Sequence, residues 1–383
     1  MRTGAIILPF TLLLACDPEV EHIYERHACA GETDGTTSGG SDSGSGSAAS
    51  DSAGSTSAAS TSAGESSGGE ESSGGAADGG GDPDGDGIPS PTAPCPTIQD
   101  GVVQFCPAGL DTCRDALVVN ASGADGNGFL SLHWHGTFES PEGVLAWDNA
   151  AQQIRDRVIA ENGLMVLPYA DPRSPARANT PFPWWRVCGT TGTECTRMDD
   201  FRFADEIVAC VVEQGLVDPN RLTTSGMSAG GTMASHLVNY STYLAGAVSW
   251  SGAVPTHWQP SMPNNDTAVM VVHGGNNDAY CGQGAPDNTG ANGCYYFRPP
   301  SEVFGQDLVN AGNFAFMCDH QAGHSAAMGL QGAYFLAWSN RVNGHVWEGY
   351  PFGTNGGVGT GSSWMLNHYC YDPGQPSPWD PHP

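Results

Sequence analysis

Four stretches of this chain have the residue types and spacing of acyl-transfer chemistry. Ser228 stands in Gly226-Met-Ser-Ala-Gly230, followed by Gly231, between an apolar run starting at Arg221-Leu-Thr-Thr and a helical run reaching Val238. The spacing G-x-S-x-G predicts a nucleophile elbow, a sharp strand-to-helix turn that presents a serine hydroxyl at a helix N-terminus, where unpaired N–H groups favour developing negative charge. A serine hydroxyl needs a base, a group that orients the base, and donors for the oxyanion. Val269-Met-Val-Val-His-Gly-Gly-Asn-Asn-Asp278 runs an apolar strand into a glycine turn and a carboxylate, so Asp278 is the expected acid. Phe314-Ala-Phe-Met-Cys-Asp-His-Gln-Ala-Gly-His324 offers two histidines, and Gly323 suits a loop that swings an imidazole back toward the serine, which favours His324 over His320. Phe129-Leu-Ser-Leu-His-Trp-His-Gly136-Thr137 ends a strand upstream of the serine, so the N–H groups of Thr137 and Ala229 are the expected oxyanion donors.

Each stretch also has a plainer reading. Ser228 could mark a glycine-rich turn without chemistry, Asp278 could cap a loop, and His133 with His135 could share one side of a strand and bond locally. His320 and His324 have metal-ligand spacing, but the glutamate of H-E-x-x-H is absent and Gly323 interrupts the segment. Asp82, Asp84 and Asp86 alternate as in a calcium loop, yet the twelfth position is Ala93, so a solvated acidic turn is the default. No metal or cofactor is expected.

These groups require a scaffold that brings strand ends together. Apolar strands are predicted at 117–120, 129–133, 164–169, 221–227, 245–249, 268–273 and 313–317, and helices at 149–161, 200–214, 229–238, 302–311 and 331–341. Their alternation predicts an α/β fold, a mostly parallel sheet with helices on both faces, whose reactive groups belong at the carboxyl ends of the strands.

Upstream, residues 1–16 read as a lipoprotein signal: Arg2, an apolar run from Ala5 to Ala15 too short to span a bilayer, and Leu13-Leu14-Ala15-Cys16, a lipobox pattern that would make Cys16 the lipidated N-terminus. Residues 17–94 are rich in Ser, Gly and acidic residues, with fifteen Asp or Glu against one Arg, half of the chain's net charge of −28. This composition predicts a disordered tether and no affinity for nucleic acid. Residues 95–383 remain for one catalytic domain, expected to be monomeric. Of the 12 cysteines, Cys188 with Cys195, Cys281 with Cys294, and Cys106 with Cys113 bracket short loops and are the expected disulfides, leaving Cys29 and Cys210 as the expected unpaired thiols; no C-x-x-C pair occurs. Disulfides accord with export, to the cell surface or periplasmic side.

From Asp218-Pro-Asn-Arg-Leu through Ser225-Gly-Met-Ser-Ala-Gly-Gly to Val248-Ser-Trp-Ser-Gly252, and more thinly at His135-Gly136, Asp278 and Gly323-His324, the chain resembles the secreted α/β-hydrolases that include polyhydroxybutyrate depolymerases, feruloyl esterases and acetylxylan esterases. The resemblance spans roughly residues 117–345. It implies an α/β-hydrolase fold and carboxylic ester hydrolysis by a metal-free Ser228–Asp278–His324 triad, with a polymeric ester as partner. The Ser-Ala-Ala-Met that follows His324 and the loop after Gly136 depart from the family's usual pattern. Trp184 and Trp185 in Phe182-Pro-Trp-Trp185, with Trp250 and Trp258, are the expected substrate-contacting aromatics. Two rival readings are a surface lipoprotein that binds a glycan or polymer without cleaving it, and a peptidase on the same fold.

Overall fold

The computed structural model describes residues 87–171, 185, 199–253, 265–281, 293–341 and 369–380. Every described residue belongs to one compact unit, Ser73–Pro383. In chain order the strands are β1 (Gly101–Phe105), β2 (Arg114–Val119), β3 (Leu130–Trp134), β4 (Leu164–Pro168), β5 (Leu222–Met227), β6 (Gly246–Trp250), β7 (Ala268–His273), β8 (Ala279–Tyr280), β9 (Tyr295–Tyr296), β10 (Ala315–Asp319) and β11 (Cys370–Tyr371). The helices are α1 (Pro141–Trp147), α2 (Asn149–Ala160), α3 (Asp199–Glu213), α4 (Ala229–Tyr240), α5 (Arg298–Asn310) and α6 (Gly329–Trp338).

Nine strands form one sheet in the order β1-β2-β4-β3-β5-β6-β7-β10-β11, and β8 pairs with β9 in a separate ribbon. The central run from β4 to β10 is parallel, while β2 meets β1 and β4, and β10 meets β11, in antiparallel register. β4 and β7 are buried along their whole length, as parallel strands covered on both faces must be. Alternate side chains then feed two cores. Val269 and Val271 join Phe203 and Ile207 of α3, Met233 and Leu237 of α4, and Phe304 and Leu308 of α5 on one face. Met270 and Val272 join Val144 of α1, Ile154 and Val158 of α2, and Phe335 and Leu336 of α6 on the other.

The expected strands and helices all appear, with ends shifted by a few residues. β1, the two-residue β8, β9 and β11, and the seven-residue α1 were not expected; the two-residue strands and α1 are too short to display a period. α1 is set by local chemistry instead: Pro141 in its first turn and Ser140 as cap, its Oγ accepting from the Gly143 N–H at 3.1 Å. α5 starts at Arg298, earlier than the expected residue 302, with proline in its first turn.

Disulfides join Cys106 to Cys113 and Cys281 to Cys294, as expected, and also Cys318 to Cys370 and Cys95 to Cys210. Cys210 is therefore not a free thiol: its partner lies 115 residues away, beyond the reach of a local-loop argument. The packed chain also begins upstream of Cys95. Ile88 packs on the first core, Thr92 donates through N and Oγ1 to Glu206 Oε2 at 2.9 and 2.5 Å, and the Ala93 N–H donates to Oε1 at 3.2 Å. Cys16, Cys29, Asp82, Asp84, Asp86, Cys188 and Cys195 lie outside the described residues. Among the described residues, no helix is long and apolar enough to cross a membrane.

Candidate active site

Ser228 is the single residue between β5 and α4, and its backbone has φ 57° and ψ −120°. A left-handed φ on a residue with a β-carbon costs roughly 1–3 kcal/mol and persists only where surrounding structure imposes it. Two bonds impose it here: the Ser228 N–H donates to Trp250 O at 2.9 Å, and Ser228 O accepts from the Thr232 N–H at 2.9 Å. The elbow also requires close backbone packing, since a β-carbon on Gly230 would stand 1.9 Å from Trp134 O. That contact ties the first turn of α4 to the end of β3, whose following loop holds Thr137. Ser228 keeps 9% exposure, so a small electrophile can reach it.

Asp278 lies two strands across the sheet, beyond the end of β7 and a 3-10 turn at Gly275–Asn277. It is fully buried. Its Oδ2 accepts from Ser251 Oγ at 2.8 Å and from the Gly274 N–H at 2.9 Å, and its Oδ1 lies 2.9 Å from His324 Nδ1. A carboxylate only accepts, so Nδ1 of His324 carries the proton and Nε2 is left as the acceptor. The Phe297 ring stacks on the imidazole with centroids 4.5 Å apart and planes 19° apart, which fixes the plane in which Nε2 points. Ser251 was not anticipated. Its one sequence signal is the Ser-Trp-Ser-Gly252 segment that leaves β6, and its φ of 45° shows a second constrained turn beside the elbow.

His320 is held differently. Its N–H donates to His273 O at 3.1 Å, and its Nδ1 accepts from the Ala322 N–H at 3.1 Å; burial pushes its pKa down. Asp278 meets His324, and the two histidines turn to different partners.

On the far side of β5, His135 Nδ1 donates to Gly136 O at 2.8 Å, and the Glu139 N–H reaches the same oxygen at 3.4 Å. The Gly136–Thr137 peptide is planar and trans, so fixing its carbonyl also fixes the direction of the Thr137 N–H. Glu139 Oε2 accepts from the Gly136 N–H at 2.7 Å. Ala229, as the first residue of α4, has an N–H without an intrahelical partner. His135 is buried beneath the Trp185 ring at 4.9 Å, and burial lowers its pKa, so it is neutral. His133 is a core residue bonded to Ser225 Oγ at 2.9 Å, with its pKa pushed down to about 3 by burial.

The aromatic expectations need correction. Trp250 is fully buried, donates from Nε1 to Ala327 O at 2.9 Å and packs in the core with α6. Trp185 is 5% exposed, donates from Nε1 to His135 O at 3.2 Å and meets Trp134 edge-on at 4.7 Å. Both indoles are satisfied inside the protein, which leaves neither as a substrate wall. Trp184 and Trp258 lie outside the described residues.

No protein-family model matches the chain, and no curated protein matches it. Among solved structures, it is similar to native pOPH (18% identity, TM-score 0.49, covering 64% of this chain and 89% of that one). It is also similar to a ferulic acid esterase (14% identity, TM-score 0.44, covering 62% and 96%). A third is the Bacillus cereus carboxylesterase (17% identity, TM-score 0.40, covering 58% and 93%). The mostly parallel sheet, helices on both faces and strand–serine–helix elbow of this chain make it an α/β-hydrolase fold.

Proposed function

We propose that the protein is a serine hydrolase of carboxylic esters. The observation that carries this reading is the Asp278–His324 hydrogen bond of 2.9 Å, which engages Nδ1 and leaves Nε2 for a substrate-side partner on the sheet edge that also carries the strained Ser228. Ser228 Oγ attacks the ester carbonyl as His324 Nε2 takes its proton; Asp278 holds the tautomer and stabilises the imidazolium. The N–H groups of Thr137 and Ala229 receive the oxyanion. The imidazolium then returns its proton to the leaving alcohol, and water, activated by the same His324, hydrolyses the acyl enzyme. No metal or cofactor takes part.

Within this class, the resemblance at the elbow favours polymer-borne esters: hydroxyalkanoate, feruloyl or acetyl. A non-catalytic polymer binder is less well supported, because Trp185 and Trp250, two of the aromatics it would present, are in the core. We further propose an exported monomer anchored through a lipid on Cys16; the four disulfides among the described residues accord with an oxidising compartment. The full chain should hydrolyse a short-chain p-nitrophenyl ester, and a panel of feruloyl and acetyl sugar esters and a polyester film should identify the acyl group. Hydrolysis of peptides but not esters would replace this reading with a peptidase.

A further inference from the structure

The segment 369–380 bonds to Arg298 and to Asp319, and through them a chain of hydrogen bonds links the loops that hold Asp278 and His324. Arg298, at the start of α5, is the hub, with its side chain 12% exposed. Its Nη1 donates to Asn276 Oδ1 at 3.1 Å, in the turn two residues before Asp278. Its Nη2 donates to Asp380 Oδ1 and Oδ2 at 2.7 and 2.6 Å, and its Nε donates to Glu302 Oε1 at 2.7 Å. Asp380 Oδ2 also accepts from the Ser377 N–H at 3.1 Å, and Ser377 Oγ donates to Asp319 Oδ2 at 2.7 Å. The same Asp319 oxygen accepts from Gln321 Nε2 at 2.7 Å, and its Oδ1 accepts from the Gln321 N–H at 3.2 Å. Gln321 belongs to the loop that ends in His324.

The path therefore runs from the acid loop through Asn276, Arg298, Asp380, Ser377 and Asp319 to the base loop. Two further ties hold the strap: the Cys318–Cys370 disulfide and the 2.8 Å contact between His273 Nε2 and Tyr371 OH. A guanidinium with its donors spread over three carbonyl or carboxylate groups has little freedom, and lysine cannot reproduce that fork.

Resting on the ester-hydrolase reading, we infer that Arg298 and the strap 369–380 are positioning elements of the active site, holding the acid and base loops in register through Asn276 and Asp319. Neither Arg298 nor Asn276 touches substrate in this account; both act through the placement of Asp278 against His324. Loosening that pair withdraws negative charge from the imidazolium formed in the reaction, so kcat drops and the acid limb of the pH–rate profile moves to lower pH. The other titratable groups facing this pair are Glu139, whose carboxylate interacts with His324, and His320 and His273, both of which interact with Asp278. Hydrogen bonds from Arg298 hold the Asp380 carboxyl below the usual carboxylate range.

The test is the kinetics of Asn276→Ala, Asn276→Asp, Arg298→Gln and Ser228→Ala in the full chain on one soluble ester, with melting temperatures. Asn276 is exposed, so its truncation removes the link without opening the core. Asn276→Ala should lower kcat about tenfold with KM within twofold, move the acid limb down by about half a pH unit and leave the melting temperature unchanged. Asn276→Asp, which keeps the acceptor for Arg298, should restore kcat to within about twofold, and Arg298→Gln should lose more than Asn276→Ala. Wild-type kcat and an unmoved acid limb in both Asn276→Ala and Arg298→Gln, with Ser228→Ala inactive, would overturn the inference and leave the esterase reading intact. Undiminished hydrolysis by Ser228→Ala would overturn the reading beneath it.

Discussion

Gly274 and Gly323 are in direct backbone contact: the Gly323 N–H donates to Gly274 O at 3.0 Å, and a β-carbon on Gly274 would fall 1.9 Å from Gly323 O. These glycines lie four residues before Asp278 and one before His324, so two loops distant in sequence meet where Asp278 and His324 pair. Gly274→Ala should therefore separate the loops and lower kcat at least 100-fold, with KM changing much less, because the acid–base geometry is lost before the substrate surface is. Steady-state kinetics on a soluble ester check this; an active Gly274→Ala enzyme would show that the contact is incidental.

The Ser251 hydroxyl supplies one of three donors to Asp278. Ser251→Ala leaves that buried carboxylate with two, and the loss of a hydrogen bond to a charged group is worth about 1.5–3 kcal/mol. We expect kcat to fall between about 10-fold and 100-fold. Asp278→Asn should be far more severe, on the order of 10⁴-fold, because the amide favours the wrong imidazole tautomer. Comparable losses in both variants would contradict the division of roles.

The two histidines of the base loop should separate cleanly. His324→Ala removes the proposed base and should cost about three or more orders of magnitude in kcat, whereas His320→Ala breaks a loop contact and should cost less than about tenfold. The reverse ranking would transfer the base role to His320.

Acid should destabilise the fold through its buried histidines. Burial pushes the His133 pKa down to about 3 and that of His236 to about 4. A folded pKa below the unfolded value of about 6.5 means that the unfolded chain binds the proton first. The contribution is thus complete above about pH 6.5 and lost as pH falls toward 4, by roughly 1–3 kcal/mol for each group. Asp205 acts in the opposite sense: burial raises its pKa to about 6, so its contribution is complete below about 3.8 and lost as pH rises through 6. His236→Gln isolates one group. Urea unfolding at pH 7 and pH 4 should show a smaller acid loss in that variant than in wild type, and equal losses would remove His236 from the account.

Much of the scaffold was legible because parallel strands and amphipathic helices write their burial into the sequence. β7 is six buried residues in a row, and α3 places Phe203, Ile207 and Val211 on one face. The elbow was legible for a different reason, that Gly230 has no room for a side chain. What could not be read depends on partners distant in sequence. Ser251 is a donor to Asp278 only because β6 and β7 are neighbours, and Cys95 meets Cys210 only because the segment before β1 lies along α3. Trp250, at the end of β6, and Trp185, outside any strand, could not be assigned from sequence because an indole serves core and cleft equally well, and only the satisfied Nε1 of each places them.

Whether Ser228 is the nucleophile is decided by covalent capture. The full chain should be treated with an aryl fluorophosphonate, which phosphonylates an activated serine hydroxyl with loss of fluoride, then weighed intact and mapped by peptide. One adduct per chain is expected, on Ser228, formed in step with loss of ester hydrolysis and abolished in Ser228→Ala. A fully inhibited enzyme labelled at another residue, or an active enzyme whose Ser228 remains unmodified, would contradict that role for Ser228.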